Sequence, residues 1–283
     1  MDALQELMER MAAKDSAAGD DEYIGEDGLI HCKVCKGRRE TVLHMVVQGV
    51  PVDRRVRCLC RCGTEERDRK AAEQAKRETE QRLKAIRGAS LMDNKFREAR
   101  FASAYANQHN QKNLRICKSY VTDFEKMESN NQGLLFWGDV GTGKSFAAAC
   151  IANELMDRGV SVVMTSFVKL LELIRSQEQE ERIINLLTTA RLVIFDDLGA
   201  ERSTEYAIEK VYNIVDSRYR SNRPMLVTTN LTFDDMLDEE DMRYSRIYDR
   251  LFEVCYPIQW TGYSWRKAKA QSRMEQMKKR IEG

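Results

Sequence analysis

The run GDVGTGKS, Gly138 to Ser145, follows directly on the apolar stretch LLFW (Leu134 to Trp137) and leads into a segment, Lys144 to Arg158, with helical spacing. It fits G-x-x-x-x-G-K-[ST], and strand, glycine loop and helix start stand in the order that pattern needs. Glycines at 138, 141 and 143 let the backbone wrap with its N–H groups turned inward, and the helix start adds the positive end of its dipole. Such a loop cradles phosphates. Lys144 is expected to reach the β- and γ-phosphates of ATP and the Ser145 hydroxyl to ligate Mg2+, with Asp139, Val140, Thr142 and Phe146 completing the contact.

Outward from this loop, apolar strands alternate with amphipathic helices, the pattern of an α/β fold with a parallel sheet. Further strands are expected at Val160 to Thr165, Arg191 to Asp196, Pro224 to Asn230 and Val254 to Trp260. Helices are expected at Leu114 to Met127, Phe167 to Arg175, around Glu180 to Thr188, Thr204 to Tyr219, Ser245 to Phe252 and, strongly basic, Tyr263 to Arg280. In LVIFDDLG a buried strand ends on Asp196 and Asp197, at the sheet edge where ligands bind. Asp196 suits Mg2+ held through water, and Asp197 suits orienting or deprotonating the attacking water. Many such ATPases carry Glu in the second place; the shorter Asp implies slow hydrolysis. Asn230, at the polar tip of PMLVTTN, is placed to hydrogen-bond the γ-phosphate or the water. In SRIYDRL, Arg246 and Arg250 share one helix face.

In this order, Walker A, Walker B, TTN, SRIYDRL and GYSWR, the chain resembles the AAA+ ATPases of the DnaC/DnaI helicase-loader and IstB group, over roughly Leu91 to Arg266. The resemblance implies a P-loop AAA+ core, preceded by a small zinc-binding domain on the DnaI-like side of the group. It also implies ATP binding and self-association into an ATP-bridged oligomer. Asn230 falls at sensor 1, Arg250 at the arginine-finger position with Arg246 its neighbour, and Arg266 at sensor 2, where Trp265 replaces the usual tyrosine. Residues 263–283 are too few for a full lid domain. The group further implies single-stranded DNA contacts at Thr204 and Tyr206, in a segment that also carries Arg202; Tyr206 equally suits packing. The implied function is loading of a replicative DnaB-type helicase onto single-stranded DNA, the alternative being an IstB-like regulator acting on DNA and a transposase. An adaptor with negligible hydrolysis is a third possibility.

Upstream, five of eight cysteines lie between Cys32 and Cys62, in the arrangement C-x-x-C, then C-x-C-x-C. A C-x-x-C pair is a half-site for a tetrahedral zinc ion. The expected Zn2+ ligands are Cys32, Cys35, Cys58 and Cys60, with Cys62 the alternative and His31 and His44 in reserve; Gly63 permits the turn that a Cys60 and Cys62 pair needs. The segment between the half-sites, Lys36 to Arg57, mixes Val42, Leu43, Met45 and Val46 with arginines and suits partner recognition. Residues 1–63 are therefore expected to form a helix plus zinc module, 64–90 a charged helical linker and 91–283 the ATPase domain. With 46 basic against 45 acidic residues, overall charge does not mark a nucleic-acid binder. No stretch has the length of a membrane span and the start lacks a signal-peptide pattern, so a cytoplasmic location is expected.

Overall fold

β-branched and aromatic runs bounded by turn residues set the sheets of this chain. A computed structural model describes residues 18–47, 49–104, 109–201 and 204–281. The chain divides into two compact units, Met1–Glu80 and Gln81–Gly283.

In the first unit, strands β1 (Glu22–Ile24) and β2 (Ile30–Cys32) pair antiparallel, as do β3 (Glu40–Val47) and β4 (Val50–Arg57). The segment between the two cysteine groups is thus a hairpin, running from the Glu40 and Arg57 pair to the Val47 and Val50 pair. Alternation gives its faces opposite character. Leu43, Met45, Val47 and Val50 share one exposed apolar face. On the other, Arg57 pairs with Glu22 at 2.8 Å and Arg55 donates to the Gly28 carbonyl at 3.0 Å. Helix α1 (Arg61–Ala89) buries no residue, as its nearly all-polar sequence requires.

The second unit runs α2 (Gln111–Thr122), α3 (Phe124–Ser129), β5 (Gly133–Gly138), α4 (Lys144–Asp157), β6 (Val162–Ser166), α5 (Phe167–Leu173), α6 (Gln177–Thr189) and β7 (Leu192–Leu198). It continues with α7 (Glu205–Arg220), β8 (Met225–Thr229), α8 (Phe233–Leu237), α9 (Met242–Val254), β9 (Cys255–Trp260) and α10 (Trp265–Ile281). The strands lie in the order β6-β7-β8-β5-β9, all parallel. All five coincide with expected runs. The helix expected over Leu114 to Met127 is interrupted at Asp123, whose φ of −99° and ψ of 20° leave the helical range.

Both sheet faces are covered, which is why the strands read as nearly unbroken apolar runs. Leu134, Phe136 and Ile194 pack toward α2 and α4, while Leu135, Val193, Phe195 and Val227 pack toward α5, α6, α7 and α9. Ala147, Ala148, Ala149 and Ala152 let α4 approach the sheet closely, bringing its N-terminus to the end of β5. Among the described residues no helix is long and apolar enough to cross a membrane.

Candidate nucleotide site and cysteine cluster

The loop after β5 takes its shape from glycine. Gly138 has φ 113°, and a Cβ there would lie 2.5 Å from the Trp260 carbonyl oxygen; Gly141 has φ 83°, and its Cβ would lie 2.2 Å from Ser264 Oγ. Neither position accepts another residue without strain. Within the loop Thr142 Oγ1 donates to the Asp139 carbonyl at 2.9 Å, and the Asp139 N–H donates to the Trp260 carbonyl at 2.9 Å. Lys144, although buried, has three acceptors: the carbonyls of Gly138 at 2.7 Å and Asp139 at 2.8 Å, and Asn230 Oδ1 at 2.8 Å. Burial draws its ammonium below the usual lysine range.

The two carboxylates are re-aimed by a break in the sheet. β7 and β8 pair in register at Phe195 with Val227 and again at Leu198 with Thr229, so Asp196 and Asp197 together oppose Thr228. A bulge of this kind beside a site turns side chains out of the strand alternation. Asp197 accordingly has φ 56°, in the left-handed region that Asp tolerates better than most residues. Thr228 pins both: its hydroxyl donates to Asp196 Oδ1 at 2.7 Å and accepts the Asp197 N–H at 2.9 Å. Asn230 Nδ2 lies 3.4 Å from Asp197 Oδ1. Burial raises the Asp196 pKa against the lowering effect of hydrogen bonds from Ser145 and Thr228.

Asp196 has no ion pair among the described residues, and its side-chain hydrogen bonds come from the hydroxyls of Ser145 and Thr228. A buried carboxylate next to the Ser145 hydroxyl is an oxygen donor set that fits Mg2+. Beside them lies a cavity of about 640 Å³, lined by Gly141 to Phe146, Asp197, Asn230, Arg266 and Lys269, with Phe96, Leu114 and Trp260 as an apolar flank. The structure thus gathers Lys144, Ser145, Asp196, Asp197, Asn230 and Arg266 at one end of the sheet. Thr228, Lys269 and the apolar flank were not foreseen. Thr228 had a signal, a hydroxyl inside an apolar strand, whereas the flank comes from segments distant in sequence.

Arg250 is not presented outward. Its guanidinium pairs with Asp216, accepts no more than partial solvent access, donates to the Tyr212 hydroxyl at 3.1 Å and lies over the Tyr212 and Tyr219 rings. Arg246, one turn earlier, is exposed. Thr204 caps α7 by accepting the Ala207 N–H at 3.2 Å, and Tyr206 is 52% exposed with Lys210 Nζ 5.4 Å from its ring centre. Arg202 lies outside the described residues.

In the first unit, Cys32, Cys35, Cys60 and Cys62 place their sulfurs within 4.8 Å of one another. Cys62 Sγ is 3.4 Å from both Cys32 Sγ and Cys60 Sγ. Four ligands about 2.3 Å from a tetrahedral zinc stand about 3.8 Å apart, so this donor set fits Zn2+. The expected set is corrected at one position: Cys62 joins the cluster and Cys58 does not. β4 ends at Arg57, just before Cys58, whose Sγ donates to the Arg38 carbonyl at 3.6 Å, and the helix α1 begins only after Cys60, bringing Cys62 back to the cluster. His31 has both ring nitrogens against oxygens, of Asp27 at 2.9 Å and of Lys36 at 3.2 Å, and His44 pairs with Asp53 at 2.6 Å, so neither joins.

Electrostatics favour a cation at the cluster. The Arg39 guanidinium, donating to Cys60 Sγ at 3.4 Å, leads in drawing that thiol down to about 6, and the amides of Cys62 and Gly37 lower Cys35. The neighbouring sulfurs, Cys35 first, push Cys62 up to about 12. Four thiolates this close ionise together only with added positive charge.

A family model described as IstB-like ATP binding protein matches residues 68–273. The replicative helicase loader DnaC of Escherichia coli strain K12 is 30% identical over 158 residues, covering 53% of this chain and 62% of that protein. The replicative helicase loader DnaI of Bacillus subtilis strain 168 is 27% identical over 159 residues, covering 50% of this chain and 51% of that protein. The chain thus matches between half and two thirds of the length of these relatives. A crystal structure of DnaI aligns with TM-score 0.52 and 24% identity over 62% of this chain and 94% of that one. That of the DnaC helicase loader aligns with TM-score 0.53 and 17% identity over 60% and 100%. Both likenesses concern the fold alone. With the matched segment spanning the glycine loop, the bulged carboxylates and Asn230, this chain belongs to the family of IstB-like ATP-binding proteins.

Proposed function

We propose that this chain is an ATP-dependent loader of a replicative DnaB-type helicase onto single-stranded DNA. One observation carries the reading: Lys144, Asn230 and Asp197, of the bulged carboxylate pair, meet at a cavity in a chain whose relatives include replicative helicase loaders. Lys144 exchanges its loop carbonyls for the β- and γ-phosphates, with Arg266 reaching the same phosphates from α10. Asn230 and Asp197 hold the attacking water, and Asp197 accepts its proton. Mg2+, held by Ser145 and Asp196, neutralises phosphate charge when bound. Hydrolysis is slow and depends on assembly, a neighbouring copy supplying an arginine from α9. Thr204, Tyr206 and Arg202 contact single-stranded DNA, Tyr206 by stacking.

The zinc cluster has no open ligand position among its four cysteines, so Zn2+ there is structural. It fixes the base of the β3–β4 hairpin, and the apolar face of that hairpin engages the helicase.

Two measurements test the reading. The full chain is expected to retain a DnaB-type helicase in a pull-down; no retention, with retention of a transposase instead, would favour an IstB-like regulator acting on DNA and a transposase. Phosphate release is expected to fall about a hundredfold in Asp197→Asn. Equal rates in variant and wild type would leave an adaptor without real hydrolysis.

A further inference from the structure

Helix α10 starts at the nucleotide cavity, and after Trp265 its described side chains are exposed. Arg266 and Lys269 line the cavity, and Arg273 and Arg280 continue the same stripe at helical spacing. Residues 265–281 hold seven Lys or Arg against one acidic residue, Glu275. Beside the stripe, Met274, Met277 and Ile281 recur at helical spacing and are 71%, 50% and 76% exposed. An apolar stripe edged by cations calls for an acidic surface that offers apolar side chains of its own.

The same chain carries one. Residues 234–241 contain six Asp or Glu and no basic residue. Asp235 caps α8 with Thr232, and Asp241 pairs with Arg243 at 2.7 Å. Asp234, Asp238 and Glu240 are exposed, as are Leu237 at 60% and Met242 at 68%.

The two patches belong to opposite faces of the sheet. α10 is rooted at the glycine loop, where the Trp265 N–H donates to the Gly141 carbonyl at 3.0 Å, beside Phe96 and Leu114 on the α2–α4 side. Met236 of α8 and Ile247 of α9 pack on the other. Complementary patches so placed join separate copies head to tail, as a heterologous contact.

Resting on the ATP-bridged assembly proposed above, we propose that α10 of one copy docks on the acidic α8–α9 segment of the next. Because α9 begins at Met242, docking there also carries the exposed Arg246 of that copy toward the nucleotide cavity from which α10 springs.

Charge exchange tests the contact by sedimentation, with a non-hydrolysable ATP analogue and Mg2+. The double variant Arg273→Glu with Arg280→Glu, and the double variant Asp238→Lys with Glu240→Lys, are each expected to self-associate roughly tenfold more weakly than wild type. Mixed in equal amounts they are expected to recover assembly, since every contact between alternating copies is again of opposite charge. Nucleotide binding by each double variant serves as the folding control, because none of the four residues lines the cavity. Wild-type assembly by both variants alone, or a mixture no better than its components, would overturn the contact while leaving the ATP-bridged assembly standing. A wild-type chain that stays monomeric with the analogue would overturn both.

Discussion

Lys144 Nζ donates a 2.8 Å hydrogen bond to Oδ1 of Asn230, 86 positions later, joining the glycine loop to the tip of β8. With its oxygen held by the ammonium, Asn230 turns its amide nitrogen toward Asp197 Oδ1 at 3.4 Å. One amide thus reads both the phosphate-binding lysine and the bulged carboxylate.

Removing that amide should separate binding from chemistry. In Asn230→Ala, Lys144 keeps the Gly138 and Asp139 carbonyls, so nucleotide affinity is expected to stay within a few-fold, while phosphate release falls about a hundredfold. Fluorescent-nucleotide titration beside phosphate release measures the split; parallel loss of both would make Asn230 a binding residue only.

Asp196 couples stability to pH in the direction opposite to a salt-bridged carboxylate. Burial raises its folded-state pKa above the unfolded value, so the folded state holds its proton more tightly and stability falls as pH rises through the folded pKa. Asp196→Asn keeps the acceptor for Thr228 and removes the buried charge. Without nucleotide it is expected to melt above wild type at pH 7, the gap closing as pH falls toward the ordinary Asp range. Addition of Mg2+ and ATP should stabilise wild type more than the variant. A variant that melts lower at pH 7 would contradict this account.

The cysteine cluster gives a sharp ligand prediction. The purified chain is expected to carry one zinc, lost in Cys60→Ser and Cys62→Ser and retained in Cys58→Ser, as elemental analysis would record. Because the ligands must be deprotonated, acidification should release the metal and unfold the hairpin. Zinc loss in Cys58→Ser with retention in Cys62→Ser would restore the set with Cys58.

Much of this was legible because short spacing encodes it. Gly138 to Ser145 announces itself after an apolar strand, and all five strands of the parallel sheet coincide with apolar runs, since burial on both faces keeps most of their residues apolar. Asp196 and Asp197 were readable as a pair, but their bulge was not: it exists only where β7 meets Thr228 of β8. The cysteines were ambiguous for a similar reason. In C-x-C-x-C, the ligand pair depends on whether the chain turns before or after Cys60, and the start of α1 decides it. Arg250 shows the limit most plainly, since its spacing with Arg246 gives both one helix face while Asp216 and Tyr212 hold only the later one.

Arg218 carries the last prediction. It is fully buried and has no carboxylate partner among the described residues; its guanidinium donates to the carbonyls of Leu187 at 2.7 Å, Ala190 at 2.7 Å, Arg191 at 3.2 Å and Pro224 at 2.6 Å. Leu187 and Ala190 close the C-terminal end of α6, where a cation complements the helix dipole, and Arg191 leads into β7, whose far end bears Asp196 and Asp197. Arg218→Met would fill much of the volume but leave those carbonyls unpaired, at a cost of about 3 kcal/mol. Arg218→Lys should recover part of that cost, because one ammonium cannot span all four oxygens. Urea titration of both variants measures the loss, and nucleotide affinity per folded molecule should remain within about twofold of wild type, since Arg218 does not line the cavity. A stable Arg218→Met with weakened nucleotide binding would make this arginine part of the site rather than its scaffold.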